Sequence, residues 1–441
     1  MKRTHLAAAL VLALAAPVLG APAEVPISLA EALRLAGEGN PEFLARRART
    51  DADAARATGA ARARWPRLSV AASWSRTDTP SMVFAEKLNA GEFAAEDFAI
   101  ERLNAPDALS HLTTTVGAEL PLDVSGRIRA LARAQSSGAR VAESAADESL
   151  QELRLRVVEA YRRAAVARRM VEVTERTLAG ARAREADVEA RVAEGAALRA
   201  DLLRVRARRR RREADLAERR ADEQTAVAML SRALGAPADV SYRPTESPSA
   251  PAPLEDDAAA WASRALAGRP SVRAAAERVA GHTWSLRAEE RAAWPELAAW
   301  AQLQDDRNRL SGGNRSGAVG VSLRWNAFDA TRRQKVAAAA AEARAAELEA
   351  RAAADQARLE VEAAWRRAQA ARARHAAAAG GAEEGREALR VVQERREQGL
   401  ATLTDELETE AASLAAELDE LRAAADAAIA DAALRRAAGD L

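Results

Sequence analysis

The sequence predicts a mainly α-helical chain with a transmembrane β section. The expected unit, strand, strand and long helical hairpin, occurs twice. That gives four strands per subunit in a trimeric 12-stranded β-barrel, continued by a long α-helical coiled-coil barrel. Three observations lead there: long Ala-, Arg-, Glu- and Leu-rich tracts with coiled-coil spacing, short segments of period-2 alternation, and the recurrence of both at duplicated positions.

Composition narrows the class first. At 441 residues an ordinary globular chain would hold about three domains. Aromatic residues make up only 3%, however, too few to fill large globular cores. The helical bias is that of long helices and coiled coils. Lys+Arg (66) nearly cancels Asp+Glu (65), so no global charge draws the chain to nucleic acid. There is no cysteine, hence no disulfide framework and no acceptor for an N-terminal lipid. Lys2 and Arg3, the apolar run Leu6 to Leu19 and the small residues Ala21-Pro22-Ala23 read as an export signal over residues 1–23. No later stretch reaches the roughly 18 consecutive apolar residues of a membrane helix. Membrane contact must come through alternating segments.

The chain repeats itself. Pro41 and Trp65-Pro66 recur as Pro270 and Trp294-Pro295, with a Pro-to-Pro spacing of 25 in each case. Each Trp-Pro precedes an alternating segment: Leu68, Val70, Ala72 and Trp74 on one side, and Leu297, Ala299, Ala301 and Leu303 at the matching positions. A second pair follows in VGAELPLDVSGR (Val116 to Arg127) and VSLRWNAFDATR (Val321 to Arg332). Apolar-out, polar-in alternation over about ten residues is the transmembrane barrel pattern. A third pair lies in the helical tracts. Arg191 to Gly195 followed by Asp201 matches Arg395 to Gly399 followed by Asp405, at a constant offset of 204. From Leu150 a three-four spacing through Leu153, Val157, Ala164, Val171, Leu178 and Val188 defines a coiled-coil seam.

The resulting division has a first repeat over 24–235, with strands at about 67–76 and 113–123 and a tip near 195. A Pro-rich inter-repeat linker covers 236–264. The second repeat covers 265–441, with strands at about 296–305 and 316–326 and a tip near 399. At about 1.5 Å per residue, Arg127 to Gly195 is roughly 100 Å of helix. Two shorter helices, Ser28 to Ala63 and Gly195 to Leu234, nearly match it when placed end to end, and the second half repeats the relation with a short helix from Trp261 to Ala293. Four strands cannot close a barrel, and open edges do not survive in lipid. Three copies supply an even, allowed number.

These residues resemble the TolC family of outer-membrane factors. LAEALRLAGEGNPEF (Leu29 to Phe43) is similar to that family's first-helix signature, PLDVSGR and NAFDATR to its strand-exit motif, and the two Gly…Asp segments to its periplasmic-tip motif. Val192 and Arg396 stand where the family often has Tyr, and Asn326-Ala327 replaces Pro-Leu. The resemblance implies a passive Gram-negative exit duct for efflux or type I secretion. It would be a homotrimer in outer-membrane lipid, joined at Gly195, Ala196, Gly399 and Leu400 to a periplasmic adaptor and through it to an inner-membrane pump, without a cofactor. It also implies a tip gate with Asp405 and Glu408 as an acidic constriction, Asp201 as an acceptor and Arg396 as a donor for contacts that close it.

Rival readings stand beside these. Asp405 and Glu408 fit a solvated helix face as well as a gate. The Arg208 to Arg212 run, covering a whole helix circumference, reads as a solvated outer face rather than a nucleic-acid patch. Trp65, Trp294 and Trp325, at strand ends, fit a membrane-interface belt or a core. Ser311 to Gly317, glycine-rich but without a P-loop lysine, reads as a hairpin loop, and residues 77–112 as a longer one, both facing the exterior. His111, His282 and His375 are isolated, and no nucleophile–base set can be assembled, so no enzyme activity is expected. The rival class is a soluble periplasmic coiled-coil adaptor or scaffold, which would carry one hairpin within β-rich modules rather than two alternating with strand pairs.

Overall fold

The computed structural model describes residues 23–237, 240–254, 256–308 and 313–441. The export-signal segment lies outside these except for Ala23, as does the centre of the second hairpin loop. In chain order the elements are β1 (Ala23–Ile27), α1 (Leu29–Gly39), α2 (Pro41–Arg62), β2 (Arg67–Thr77), α3 (Pro80–Asn89), a 3-10 turn (Ala95–Phe98), α4 (Ile100–Asn104), β3 (Leu109–Leu122), α5 (Arg127–Ala193), α6 (Arg199–Leu234), β4 (Val240–Pro244), α7 (Ala258–Gly268), α8 (Pro270–Arg291), β5 (Glu296–Arg307), β6 (Asn314–Arg324), α9 (Arg332–Glu397) and α10 (Leu403–Ala438). They form two compact units, one of residues 47–146 and 270–356, the other of the remaining described residues.

The first of these units holds an antiparallel sheet in the order β2-β3-β5-β6. Its register puts Val70 opposite Val116, Val116 opposite Leu303 and Ala301 opposite Val319, so most of the large apolar residues of the four strands share one face. Leu68, Val70, Trp74, Leu303, Val319, Val321 and Leu323 are 62–82% exposed there, an uncovered apolar face. The other face carries Ser69, Gly117 and Gln302 in one row and Ser73, Thr113 and Asp306 in another. β2 and β6 are edges.

The ladders are longer toward the loops than alternation suggests. β3 begins at Leu109 rather than 113, because Ser75, Arg76 and Thr77 continue pairing with His111, Ser110 and Leu109. β5 runs to Arg307 and β6 begins at Asn314, since Asp305 and Asp306 pair with Arg315 and Asn314. Backbone pairing is indifferent to side-chain polarity, so a hydropathy pattern misses it. At the other end β6 stops at Arg324, and the Trp325 Nε1 donates to the Ala293 carbonyl at 3.0 Å. The long loop after β2 is not irregular. It folds into α3, the 3-10 turn and α4 around a Phe84–Phe93–Phe98 edge-to-face cluster and a 2.7 Å Lys87–Asp97 ion pair.

The strand-to-helix exits are built on aspartates. Asp123 accepts from the Ile128 and Arg129 amides and from the Arg129 guanidinium. Burial opposes ionisation, but the Arg129 and Ile128 bonds hold the carboxyl below its usual range. Asp329 accepts from the Thr331 hydroxyl and amide and from Lys335, which hold it at about 2. These anions replace amide partners missing at the N-termini of the two longest helices.

The second unit contains α6 and α10 with the parts of α5 and α9 that follow residues 146 and 356, which make two helical hairpins, α5/α6 and α9/α10. The alternating seam of α5 is buried as its spacing predicts: Leu153, Val157, Ala164, Val171, Leu178 and Val188 are all in the core. Leu153, Val157 and Tyr161 pack with Ile27, Ala32, Ala36, Phe43, Leu230 and Leu234. In the second hairpin Val361, Ala368 and Leu434 pack with Trp261 and Ala265 of α7.

One expectation needs correction here. The helices read as continuous over 28–63 and 261–293 are each broken, at Asn40 before Pro41 and at Arg269 before Pro270. Proline has no amide to continue the ladder and disfavours helical geometry in the residue before it. The inter-repeat linker 236–264 carries structure of its own. It contains β4, which pairs in parallel with β1, and the first turns of α7. The Tyr161 hydroxyl, donating to the Ile27 carbonyl and accepting from the Glu246 amide, ties this ribbon to α5.

Candidate gate at the tips of the helical hairpins

Both hairpins turn through the same backbone motif. Gly195 (φ +76°) and Gly399 (φ +74°) end α5 and α9 in the left-handed region, which glycine enters without steric cost. The Gly195 and Ala196 amides donate to the Val192 and Arg191 carbonyls at 3.1 and 2.7 Å. The Gly399 and Leu400 amides donate to Arg396 and Arg395 at 3.0 and 2.8 Å. These are Schellman turns, satisfying the last carbonyls of each helix. The duplicated glycines are thus explained by geometry. Leu198 and Leu400, immediately beyond, are 70% and 64% exposed.

The second tip restarts with a capping box. Thr402 accepts from the Asp405 amide at 3.1 Å, and the Asp405 carboxylate accepts from the Thr402 hydroxyl and amide at 2.7 and 2.8 Å. Those Thr402 bonds keep Asp405 ionised below its usual range. Glu408, one turn on, is exposed. The first tip has Leu198 at the cap position and no side-chain cap. Asp201 there pairs with Arg204 at 3.4 Å.

Arg396 does not meet Asp201 within the chain. Its partner is Glu406, 3% exposed, which also accepts from Arg184 at 2.7 Å. Arg184 holds Glu410 at 2.5 Å as well, and Arg208 donates to the Leu407 carbonyl at 2.8 Å. Glu406 therefore joins α5, α9 and α10 through buried charge, and Arg208 joins α6 to α10. Burial and neighbouring Arg212 push the Arg208 guanidinium below its ordinary value. Within the Arg208 to Arg212 run, only Arg210 and Arg211 lie on a solvated face. Arg209 is held by Glu185 and Glu213, and Arg212 pairs with Asp215.

Sequence reasoning missed Glu406, yet a signal was present. At the offset of 204, Glu406 corresponds to Leu202, which is buried with Val188 and Val205 in the first hairpin. A glutamate at an apolar seam position calls for a buried cation, and Arg184 and Arg396 supply it.

Trp65, Trp294 and Trp325 are 56–65% exposed and sit at one end of the sheet, next to the first residues of β2 and β5 and the last of β6. Exposure sets aside their core reading. Trp74, at the opposite end, is 68% exposed on the apolar face. Among the described residues no helix is long and apolar enough to cross a membrane, and no cluster of three or more His, Asp or Glu side chains is placed to hold a metal ion.

Known proteins fit this arrangement. No curated protein sequence matches the chain. Solved structures do. A membrane protein from Pseudomonas aeruginosa shares 22% identity over 93% of each chain with a TM-score of 0.75. The outer membrane protein VceC from Vibrio cholerae shares 20% over 93% of this chain and 96% of its own, at 0.71. The CmeC outer membrane channel of Campylobacter jejuni shares 15% over 93% and 85%, at 0.76. At such identities the likeness is one of fold: mostly long helices with a β-barrel section. The profile of outer membrane efflux proteins matches residues 32–236 and 261–440, nearly the whole described chain, and leaves no support for the soluble adaptor reading. With that match, and with an apolar strand face and paired helical hairpins, the chain belongs to the outer membrane efflux protein family.

Proposed function

We propose that three copies of this outer-membrane efflux protein close a twelve-stranded barrel, forming the passive exit duct of a tripartite efflux or type I secretion system. The observation that carries the reading is the sheet: four strands, two open edges and one exposed apolar face. Edges left open in lipid expose unpaired backbone groups, so β6 of one copy pairs with β2 of the next. Two copies would give eight strands, an interior about filled by its own side chains, whereas twelve leave an opening. Trp65, Trp294 and Trp325 then mark one membrane interface. Mass measurement of the detergent-solubilised protein is expected to give a trimer. A monodisperse monomer that retains channel activity overturns the reading.

The tips at Gly195, Ala196, Gly399 and Leu400 present exposed apolar side chains beside charged helix ends, a surface suited to a periplasmic adaptor that connects to an inner-membrane pump. Asp405 and Glu408 from three copies form an acidic ring at the entrance, which raises local cation concentration and repels anions. Asp201 and Arg396 act across copies, with Glu406 holding Arg396 in place. In planar bilayers, Asp405→Ala with Glu408→Ala is expected to weaken cation selectivity and trivalent-cation block. Arg396→Ala is expected to raise conductance. Selectivity and conductance unchanged in both would place these residues on a solvated face.

A further inference from the structure

The polar face of the sheet carries one aromatic ring that the barrel alternation does not explain. Trp300 of β5 lies directly opposite Glu119 of β3 and Gly320 of β6, and Glu119 lies opposite Arg67 of β2. This row belongs to the face of Ser69, Gly117 and Gln302, not to that of Val70, Val116 and Leu303. Trp300 is the one Phe, Tyr or Trp that the strands place there; its counterpart in the first repeat is Ala71.

Its seat is built. A Cβ on Gly320 would stand 2.9 Å from the Trp300 Cε2 and Cζ2 and 3.1 Å from Nε1, so the indole rests where a side chain would project from β6. Any other residue at 320 would displace the ring. The indole remains 37% exposed, so part of it stays open to the space the sheet faces. Neighbouring rows on the same face are small or uncharged: Ala298 and Ser322 on one side, Gln302 and Ala318 on the other. Glu119 is exposed, and among the described residues no ion pair engages its carboxylate.

We infer that Trp300, seated on Gly320 and flanked by Glu119, is a lumenal contact site for planar aromatic cations passing through the barrel. The inference rests on the barrel reading, in which the polar face lines the lumen. A π-face attracts cations and stacks on flat rings, and Glu119 adds an unpaired carboxylate on one side. Arg67 lies beyond Glu119, so the carboxylate stands between the ring and the nearest positive charge in the row. Three copies place three such indoles at one height, in rows otherwise made of Arg67, Glu119 and Gly320.

The test is block of single-channel current by ethidium, with caffeine as the neutral planar control. Wild-type channels are expected to show concentration-dependent ethidium block and little effect of caffeine. Trp300→Ala is expected to raise the blocking concentration about fivefold, the scale of one cation–π contact. Trp300→Phe is expected to retain most of the block, and Glu119→Gln to lose about half of it. Gly320→Ala is expected to act like Trp300→Ala, by lifting the indole from its seat. Equal ethidium block in wild type and Trp300→Ala overturns the inference while leaving the barrel intact, as does caffeine block equal to that of ethidium. A wild-type protein that forms trimers but no channel overturns the barrel reading, and the inference with it. Should Trp300→Ala not assemble, the Trp300→Phe and Glu119→Gln pair decides: block unchanged in both overturns the inference.

Discussion

The two repeats keep the same backbone and use different side chains to hold it. Where α6 ends, Gly235 (φ +71°) abuts the break between α1 and α2. Where α10 ends, Gly439 (φ +83°) abuts the break between α7 and α8. A Cβ on Gly235 would meet the Gly39 carbonyl at 2.5 Å, and one on Gly439 would meet the Arg269 Cα at 2.7 Å. The glycine that ends one helix and the proline that starts the other, Gly235 with Pro41 and Gly439 with Pro270, therefore recur at both joints for backbone reasons. The residue between helices does not recur. Asn40 accepts from the Glu42 and Phe43 amides and donates to the Ala233 carbonyl. Arg269, equally buried, is held by Glu360 at 2.5 Å with Glu148 at 3.7 Å. Duplication preserves what geometry dictates and lets polar satisfaction find separate solutions.

The tips differ in the same way, and the difference is open to attack at Glu406. Removing one member of a buried ion pair typically costs about 3–5 kcal/mol, because the other charge is left in low dielectric. Glu406→Ala is expected to lower stability on that scale in denaturant unfolding and to raise hydrogen exchange around 396–410. Glu408→Ala, exposed, is expected to stay within about 0.5 kcal/mol. Placing a glutamate in the first hairpin, Leu202→Glu, introduces the charge without a matching arginine pair and is expected to be as damaging. Equal, small effects at 406 and 408 would mean that the seam charge does not hold the hairpins together.

Glycines at the joints and at the tips separate two causes that sequence alone cannot. All four of Gly195, Gly235, Gly399 and Gly439 have positive φ, which costs a side chain roughly 1–2 kcal/mol. Only the joint glycines also face backbone at clash distance; nothing lies within 4 Å of a Cβ built at 195 or 399. Overpacking adds about 1–3 kcal/mol. Gly235→Ala and Gly439→Ala are thus expected to cost about 2–5 kcal/mol, and Gly195→Ala and Gly399→Ala about 1–2. Thermal unfolding followed by circular dichroism orders the four. Joint and tip variants that melt alike would show that the joints yield.

Much of this was legible from residue order. The Trp-Pro pairs, the alternating segments and the Gly…Asp landmarks gave the strands, the exposed apolar face and both tip turns. Pro41 and Pro270 were visible as landmarks, but the length match between helices concealed their role as breaks. β1 and β4 were not legible: each has five residues, contains a proline, and pairs across more than 200 residues of chain. Glu406 hid in a sequence that is 30% charged, where a glutamate on a helix is ordinarily solvated. Trp300 hid because alternation was read from apolar residues, and a ring on the polar face departs from that pattern. The Asp405 capping box was legible in the Thr402-Leu403-Thr404-Asp405 order, as a residue with a hydroxyl three positions before a carboxylate at a helix start.

That capping box gives the smallest expected effect and the sharpest contrast between tips. Thr402→Ala removes the side-chain acceptor at the start of α10, a change worth about 1 kcal/mol. Leu198→Ala in the first tip removes no cap, so its effect on helix start is expected to be smaller. Acid tests the same bond from the other partner. Thr402 holds the folded Asp405 carboxyl below the ordinary aspartate value of about 3.9. A depressed folded value means that the unfolded chain binds the proton more readily. The stabilisation is therefore complete above about pH 4 and is lost as pH falls through the folded value. Protection of the Asp405 amide, corrected for intrinsic exchange, is expected to hold down to about pH 4 and to drop as pH falls below it in wild type. In Thr402→Ala the amide is expected to start less protected and to change little over that range. An Asp405 amide whose protection is the same in both proteins across the range would show that the box is not formed in solution, and that the two tips restart their helices alike.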